Sequence, residues 1–200
     1  MARTDPYDRL RALLERLDGA LESRGETRED VLDIERLSAA TGLTKRNVGS
    51  LLRGRRLRPR DPEEYVPQRV VRLRERHEAA CGKTLARMVD DLTAGGRMKE
   101  AWARLLLQGQ RVPSVPHLTV LADYFGVEVV YFTDPGPVAL ARELRPIVEG
   151  LEPDTFEELM RRFEIREVHA RADGPLTEQQ KRTIAGLIEV VLSQGKGTRP

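Results

Sequence analysis

The chain is poor in cysteine, in aromatic residues and in long apolar runs. Its one cysteine, Cys81, excludes a disulfide within the chain and a zinc site built from several cysteines. No apolar run reaches the length of about 18 residues that predicts a membrane-spanning helix. The charged N-terminus has no apolar core of the kind a signal peptide needs. We therefore expect a cytoplasmic protein that does not enter the membrane.

The sequence also offers little chemistry for catalysis. His77, His117 and His169 stand apart from one another and from Cys81, so no local set has the spacing of metal ligands. There is no phosphate-binding P-loop, no dinucleotide-binding glycine fingerprint and no nucleophile elbow. The acidic pair at 90 and 91 is interpreted as a solvated helix face. We expect no enzyme activity, no metal and no cofactor.

Charge is abundant and nearly balanced overall, but it is unevenly placed. The chain of 200 residues has 34 basic and 32 acidic side chains, for a net charge of +2. The segment Leu43–Arg60 holds seven basic residues and no acidic one, whereas the C-terminal third is acidic. An uncompensated basic stretch indicates a polyanionic partner. Most of the basic residues are arginines, which suit phosphate and guanine, although a GC-rich genome would also raise arginine content.

Apolar residues recur at helical spacing along the chain, and no segment shows the alternation of a strand. The fold class predicted from this pattern is all-α. The first three predicted helices span residues 7–24, with Asp5 as N-cap, residues 27–41, and residues 45–53, with Thr44 as N-cap.

The segment 34–55 forms a predicted corner between two steeply crossing helices. Such a corner needs a small residue at the contact, here Ser38, and a residue free to turn, here Gly42. Apolar residues seal the second helix against the first; these are Leu37, Leu43, Val48 and Leu51. With this spacing the segment resembles the helix-turn-helix of lambda-repressor-like (Xre-type) transcriptional regulators.

The resemblance implies that the helix over 44–53 enters the major groove of DNA. Carried over by position, Lys45, Arg46 and Ser50 would face base edges, with Thr44 and Asn47 beside them. The arginines that follow would contact the phosphate backbone; these are Arg53, Arg55, Arg56, Arg58 and Arg60.

A second copy of the pattern lies 55 residues further along, because Leu106, Leu107 and Gly109 repeat Leu51, Leu52 and Gly54. Its predicted helices span residues 67–80, 84–94, 98–108 and 117–125, and the aromatic pair at 131 and 132 closes it. This half most resembles the EspR-type nucleoid-associated regulators of actinobacteria. The predicted domains are therefore two helix-turn-helix units, residues 1–66 and 67–134, and a C-terminal helical dimerisation region, residues 135–200.

The second unit departs from the pattern at its base-facing positions. Glu100, Ala101 and Leu105 stand where the first unit has Lys45, Arg46 and Ser50, and a carboxylate repels phosphates. Four cations remain that could hold a DNA backbone: Arg97, Lys99, Arg104 and Arg111. We expect an auxiliary contact or a packing module here, with Trp102 in its core.

The last predicted helix carries a broad apolar stripe after a capping box of Thr177 and Gln180. The stripe consists of Ile184, Leu187, Ile188, Val191 and Leu192. Either the preceding domains or a second chain must cover it. The family resemblance favours a homodimer, which would space two reading helices for pseudo-palindromic DNA.

The sequence thus predicts a dimeric, sequence-specific regulator of transcription that binds double-stranded DNA in the nucleoid. The alternative is a protein-interaction adaptor or antitoxin-like module that keeps the helix-turn-helix shape, which Glu100, Leu105 and the C-terminal stripe would favour. A sensor of small molecules is a third interpretation, for which the sequence neither shows nor excludes a pocket.

Overall fold

A computed structural model describes residues 5–94, 96–152, 177, 179–181 and 183–187. Every regular element in these ranges is a helix, which confirms the all-α prediction. Residue contacts divide the chain into a unit that ends at Leu151 and a unit that begins at Glu152. Within the described ranges, none of the helices has the length and apolarity to cross a membrane.

Four helices open the first unit. They are α1 (Pro6–Arg24), α2 (Arg28–Val31), α3 (Ile34–Thr41) and α4 (Lys45–Leu52). The Asp5 carboxylate accepts a hydrogen bond from the Tyr7 backbone N–H at 3.0 Å, and Pro6 occupies the first helical position. Both features confirm the predicted start of α1.

The single helix predicted over 27–41 is wrong, because the chain breaks it into α2 and α3. Leu32 and Asp33 between them adopt extended backbone angles. The Asp33 carboxylate accepts hydrogen bonds from the backbone N–H groups of Glu35 at 2.8 Å and Arg36 at 3.1 Å. An aspartate that caps a new helix in this way ends the preceding one.

The helices that follow build a second core. They are α5 (Pro62–Cys81), α6 (Leu85–Thr93), α7 (Glu100–Leu107), α8 (Val115–Phe125) and α9 (Val130–Thr133). Helix α5 starts five residues before its predicted start at Pro67, because Pro62 is a favourable first residue after Asp61. Tyr131 and Phe132 are buried, as predicted for the closing plug.

Helix α10 (Gly136–Leu151) packs against α1. Its residues Leu140, Leu144 and Val148 are fully buried in the core that α1, α3 and α4 build, and the Arg24 guanidinium donates to the Leu151 carbonyl at 2.7 Å. The region predicted to begin at residue 135 thus starts with a helix that covers the leucines of α1. Burial of those leucines stabilises this arrangement.

The repeat found in the sequence corresponds to a repeated backbone. Helices α4 and α7 have the same length at an offset of 55 residues. The backbone N–H of Gly54 donates to the Leu51 carbonyl at 2.9 Å, and that of Gly109 donates to the Leu106 carbonyl at 3.0 Å. Both glycines have φ near 70°, which favours glycine.

The predicted solvated acidic pair at 90 and 91 is correct only for Asp90, because Asp91 is half-buried. The Asp91 carboxylate accepts from the Lys83 ammonium at 2.8 Å and from the Tyr124 hydroxyl at 3.1 Å. The Lys83 hydrogen bond, with help from Tyr124, lowers the pKa of Asp91 below its ordinary value of 3.8. The bond to Asp91 raises the pKa of Lys83 above 10.5.

These shifts predict a pH window for part of the stability. A lowered carboxyl pKa contributes stability above the unfolded pKa, and this is lost as the pH falls through the folded pKa. The raised pKa of Lys83 contributes stability that is lost as the pH rises through its folded value. Asp91→Asn should therefore lower the melting temperature most between about pH 5 and pH 9.

Thermal unfolding followed by circular dichroism from about pH 3 to pH 8 tests this expectation. Asp90→Asn is the matched control. It removes the same charge from the neighbouring residue, whose side chain is exposed. We expect the curves of the wild type and Asp91→Asn to converge at low pH, with Asp90→Asn close to the wild type throughout. Two variants with the same pH profile would contradict the assignment.

Candidate nucleic-acid interface

The corner between α3 and α4 is held by hydrogen bonds within its own turn. The Ser38 hydroxyl donates to the Leu43 carbonyl at 2.6 Å, and the buried Thr41 hydroxyl donates to the Leu37 carbonyl at 2.7 Å. Gly42 has φ 68° and ψ 12°, in the left-handed region. The sequence assigned Ser38 to the helix contact and Gly42 to the turn, and the structure places both there.

Helix α4 presents one apolar and one polar face. Val48 and Leu51 are completely buried, whereas Lys45 and Arg46 are exposed and Ser50 is half-buried. At its start, the Thr44 hydroxyl accepts from the backbone N–H of Asn47 at 3.1 Å, as predicted for the N-cap. Packing of the apolar face thus fixes which side chains the first turn offers to a partner.

The two exposed cations of α4 are available for a new partner. The Lys45 ammonium forms an ion pair with Glu35, but the two side chains remain 63% and 75% exposed. Such exposed pairs contribute little free energy and are screened by salt. Within the part of the chain that the structure describes, the Arg46 side chain makes no hydrogen bond or ion pair. A phosphate or a guanine could therefore replace Glu35 as the partner of Lys45, or bind Arg46, at a small cost in free energy.

The arginines of the loop after α4 fall into two groups. Arg56 pairs with Asp5 at 2.9 Å and lies over the Tyr7 ring, 4.9 Å from its centre. Arg60 contacts Glu64 at 3.4 Å. Among the described residues no carboxylate pairs with the remaining three, which are exposed; these are Arg53, Arg55 and Arg58. The loop therefore keeps an excess of positive charge beside α4.

Three arginines of α5 that are not among the predicted site residues also reach this corner. The Arg72 guanidinium donates to the Gly42 carbonyl at 3.4 Å, and that of Arg76 donates to the Ala39 carbonyl. The buried Arg69 donates to the carbonyls of residues 131, 132 and 134 at 2.7 to 3.0 Å. Their spacing of three and four residues places them on one helix face. This spacing is visible in the sequence and could have indicated a basic face on α5.

Helix α7 of the second unit offers a different surface. Glu100 is exposed and pairs with Arg104 at 3.1 Å, so that arginine is partly neutralised. Arg97, Lys99 and Arg111 are exposed. The first two precede α7 and the third follows it. The carboxylate at the start of α7 stands where α4 has Lys45, as the repeat predicted.

The prediction that Trp102 lies in the core is wrong. Its side chain is 41% exposed and stacks on the His117 ring, with ring centres 5.5 Å apart. Ala103, Leu106 and Leu107 are buried and form the apolar face of α7, to which Trp102 does not belong. In the repeat, Trp102 corresponds to Asn47, and its side chain faces outward. The three-residue spacing between Trp102 and Leu105 is compatible with either face, so the sequence alone could not reveal this orientation.

The predicted dimerisation stripe is described only in part. The backbone N–H of Thr177 donates to the Gln180 side chain at 2.9 Å, and the backbone N–H of Gln180 donates to the Thr177 hydroxyl at 3.3 Å, which confirms the capping box. Ile184 is half-buried and Leu187 is 60% exposed. The rest of the stripe, Ile188, Val191 and Leu192, lies outside the described residues, as does His169.

No family model, curated protein or solved structure matches this chain. The resemblance to Xre-type and EspR-type regulators therefore remains a prediction from the sequence. The features of the structure that bear on function are the exposed first turn of α4 and the arginine loop that follows it.

Proposed function

We propose that the protein is a sequence-specific regulator of transcription that binds double-stranded DNA as a dimer. The observation that carries this proposal is the first turn of α4, which exposes Lys45 and Arg46 while Val48 and Leu51 anchor the opposite face in the core. A helix with its side chains is about 10–12 Å wide, which suits a major groove of about 12 Å.

In this proposal the residues of α4 divide two tasks. Lys45 and Arg46 donate to guanine O6 and N7, and Asn47 and Ser50 contact neighbouring base edges. The loop arginines hold the phosphate backbone and set the register of the helix in the groove. The units at 1–66 and 67–134 act as tandem helix-turn-helix modules, of which the first reads the sequence and the second supports it.

Dimerisation follows from the need to cover the C-terminal stripe. Leu187, with its exposed side chain, and Ile184 belong to it. A twofold pair of such helices buries apolar surface on both chains and spaces the two α4 helices for half-sites one helical turn, or a multiple, apart. Sedimentation of the free protein at micromolar concentration tests this part of the proposal: a dimer supports it and a monomer contradicts it.

The salt dependence of DNA binding tests the electrostatic part. Each arginine that neutralises a phosphate contributes about 0.9 to the slope of log affinity against log salt concentration. Arg53→Ala with Arg55→Ala should therefore reduce the slope by about 1.8. Fluorescence anisotropy of a labelled random duplex, titrated at several salt concentrations, gives the slope.

Arg9→Ala is the control for this experiment, because Arg9 is an exposed arginine of α1 outside the loop. We expect its slope to equal that of the wild type. An unchanged slope in the double variant would show that Arg53 and Arg55 do not contact phosphates. If the wild type did not bind DNA at low salt, DNA binding itself would be contradicted.

A second candidate function, a protein-interaction adaptor, is favoured by the outward face of α7. Trp102, Val112 and Val115 are exposed apolar side chains in and after this helix, and Glu100 gives it a carboxylate. Exposed aromatic residues are enriched in protein interfaces. In the absence of DNA binding at low salt, this surface would be the first to test for a protein partner.

A further inference from the structure

A cavity of about 520 Å³ lies next to α4. It is lined by the start of α1, the loop after α4, helix α5 and the first residues of α10, all within the unit that ends at Leu151. Gly42, Leu43 and Asn47 form part of its wall, so the cavity shares residues with the corner. Its volume falls within the range of about 300–1,000 Å³ that is typical of small-molecule sites.

The charge of the cavity wall is strongly positive. Arg58, Arg60, Arg69 and Arg72 line it. Among the described residues, the lining contains one carboxylate, that of Asp5, and this group is already paired with Arg56 at 2.9 Å. The wall therefore carries more cationic side chains than its own carboxylate can balance, and an anion would be attracted into it.

The four arginines differ in how they are held, and Arg60 is already paired with Glu64 at 3.4 Å. Arg69 is 3% exposed and is fixed by hydrogen bonds to the backbone carbonyls of residues 131, 132 and 134. Arg72 makes one long hydrogen bond, 3.4 Å, to the Gly42 carbonyl. Arg58 makes no side-chain hydrogen bond or ion pair within the ranges that the structure covers. The fixed Arg69 supplies positive potential, and the two less constrained side chains can turn toward a ligand.

Much of the rest of the wall is apolar, and Asn47 and Gln68 add polar side chains to it. The lining also includes Tyr7, Tyr65, Leu57 and several prolines. Both tyrosine hydroxyls are already used, that of Tyr7 on the Leu57 backbone and that of Tyr65 on the Thr133 carbonyl at 2.9 Å. One side of each ring is covered by a guanidinium, that of Arg56 at 4.9 Å from the centre of Tyr7 and that of Arg69 at 4.8 Å from the centre of Tyr65. The remaining ring surface is apolar and suits an aromatic or aliphatic body.

We propose that this cavity binds a small organic anion that joins a carboxylate, sulfonate or phosphate group to a ring-sized apolar body. The anionic group would contact Arg58 and Arg72, and the apolar body would lie between Tyr7 and Tyr65. Binding itself is independent of DNA. A regulatory effect, in which the occupied cavity moves Gly42 and Asn47 and thereby α4, rests on the proposed function.

The test uses the full chain without DNA and two dyes as probes. The dye 8-anilinonaphthalene-1-sulfonate has the required anionic group and rings, and N-phenyl-1-naphthylamine has the rings without the charge. We expect the anionic dye to bind at one site with increased fluorescence. The neutral dye should bind at least about tenfold more weakly, since it cannot accept charge-assisted hydrogen bonds from the arginines.

Variants locate the site. Arg58→Ala and Arg72→Ala should each lower the affinity for the anionic dye about tenfold and leave the affinity for the neutral dye unchanged. Arg55→Ala is the matched control, because Arg55 is an exposed arginine of the same loop outside the cavity lining. Circular dichroism confirms that each variant is folded, and the exposed Arg58 provides the safe variant if Arg72→Ala unfolds.

Several results would overturn the proposal. The first two are that neither dye binds and that both dyes bind with equal affinity. The others are that Arg55→Ala and Arg58→Ala lower the affinity for the anionic dye equally, or that Arg58→Ala and Arg72→Ala leave it unchanged. Because no DNA is present, a failure of the proposed DNA binding leaves this result unaffected. Conversely, DNA binding without dye binding would overturn the cavity proposal alone.

Discussion

Replacing Gly42 by alanine should lower the free energy of unfolding by about 2–5 kcal/mol. The left-handed φ of 68° costs an L-residue about 1–2 kcal/mol. The new Cβ would also lie 3.0 Å from Cγ of Arg69 and 3.0 Å from the Tyr131 ring. Both neighbours are buried and held by their own contacts, so relieving this overlap costs a further amount of about 1–3 kcal/mol.

Gly25→Ala separates the two causes. Gly25 has the same φ of 68°, but a Cβ there would meet nothing within 4 Å, so this variant should cost only about 1–2 kcal/mol. Urea denaturation followed by circular dichroism measures both variants. Equal losses would show that the corner is not tightly packed against α5 and α9. A larger loss in Gly42→Ala, together with weaker DNA binding, is the expected result.

The second large effect concerns the choice between DNA sequences. Lys45→Ala combined with Arg46→Ala should reduce the preference for a selected site by about 1–3 kcal/mol for each base that the variant can no longer hydrogen-bond. Nonspecific affinity should fall much less, because the loop arginines still contact phosphates. Binding of the selected duplex and of a scrambled duplex at one fixed salt concentration gives the preference as a ratio.

Lys99→Ala with Arg104→Ala is the control, since it removes the same charge from the second unit, where both side chains are exposed. We expect this variant to keep the preference of the wild type. If the α4 variant lost affinity equally for both duplexes, Lys45 and Arg46 would be phosphate contacts and the base reader would have to lie elsewhere.

Most of the helical architecture could be predicted from the sequence, because caps and helical spacing are local signals. Asp5, Thr44 and Gly42 have the roles expected of them, and the offset of 55 residues is visible in both sequence and backbone. The break at Asp33 was missed because an aspartate inside a helical pattern is equally compatible with an exposed residue and with a cap.

The tertiary features could not be predicted in the same way. Helical spacing shows that Leu140, Leu144 and Val148 share a face, but not that α1 covers it. Trp102 shares its spacing with core residues, and only the packed helix shows that it faces outward. The arginine-lined cavity joins Arg58 of the loop to Arg69 and Arg72 of α5, and contacts between distant segments leave no periodic signal in a single sequence.

The most direct measurement of the central claim is protection of guanine N7 from methylation by dimethyl sulfate, since N7 lies in the major groove. A duplex selected from a random pool by the wild-type protein would be probed with the wild type and with the Lys45→Ala, Arg46→Ala double variant at saturating protein. We expect the wild type to protect one or two guanines in each half-site and the double variant to leave them reactive while still bound. Protection that persists in the double variant, or a wild-type complex without any protected guanine, would contradict major-groove reading by α4.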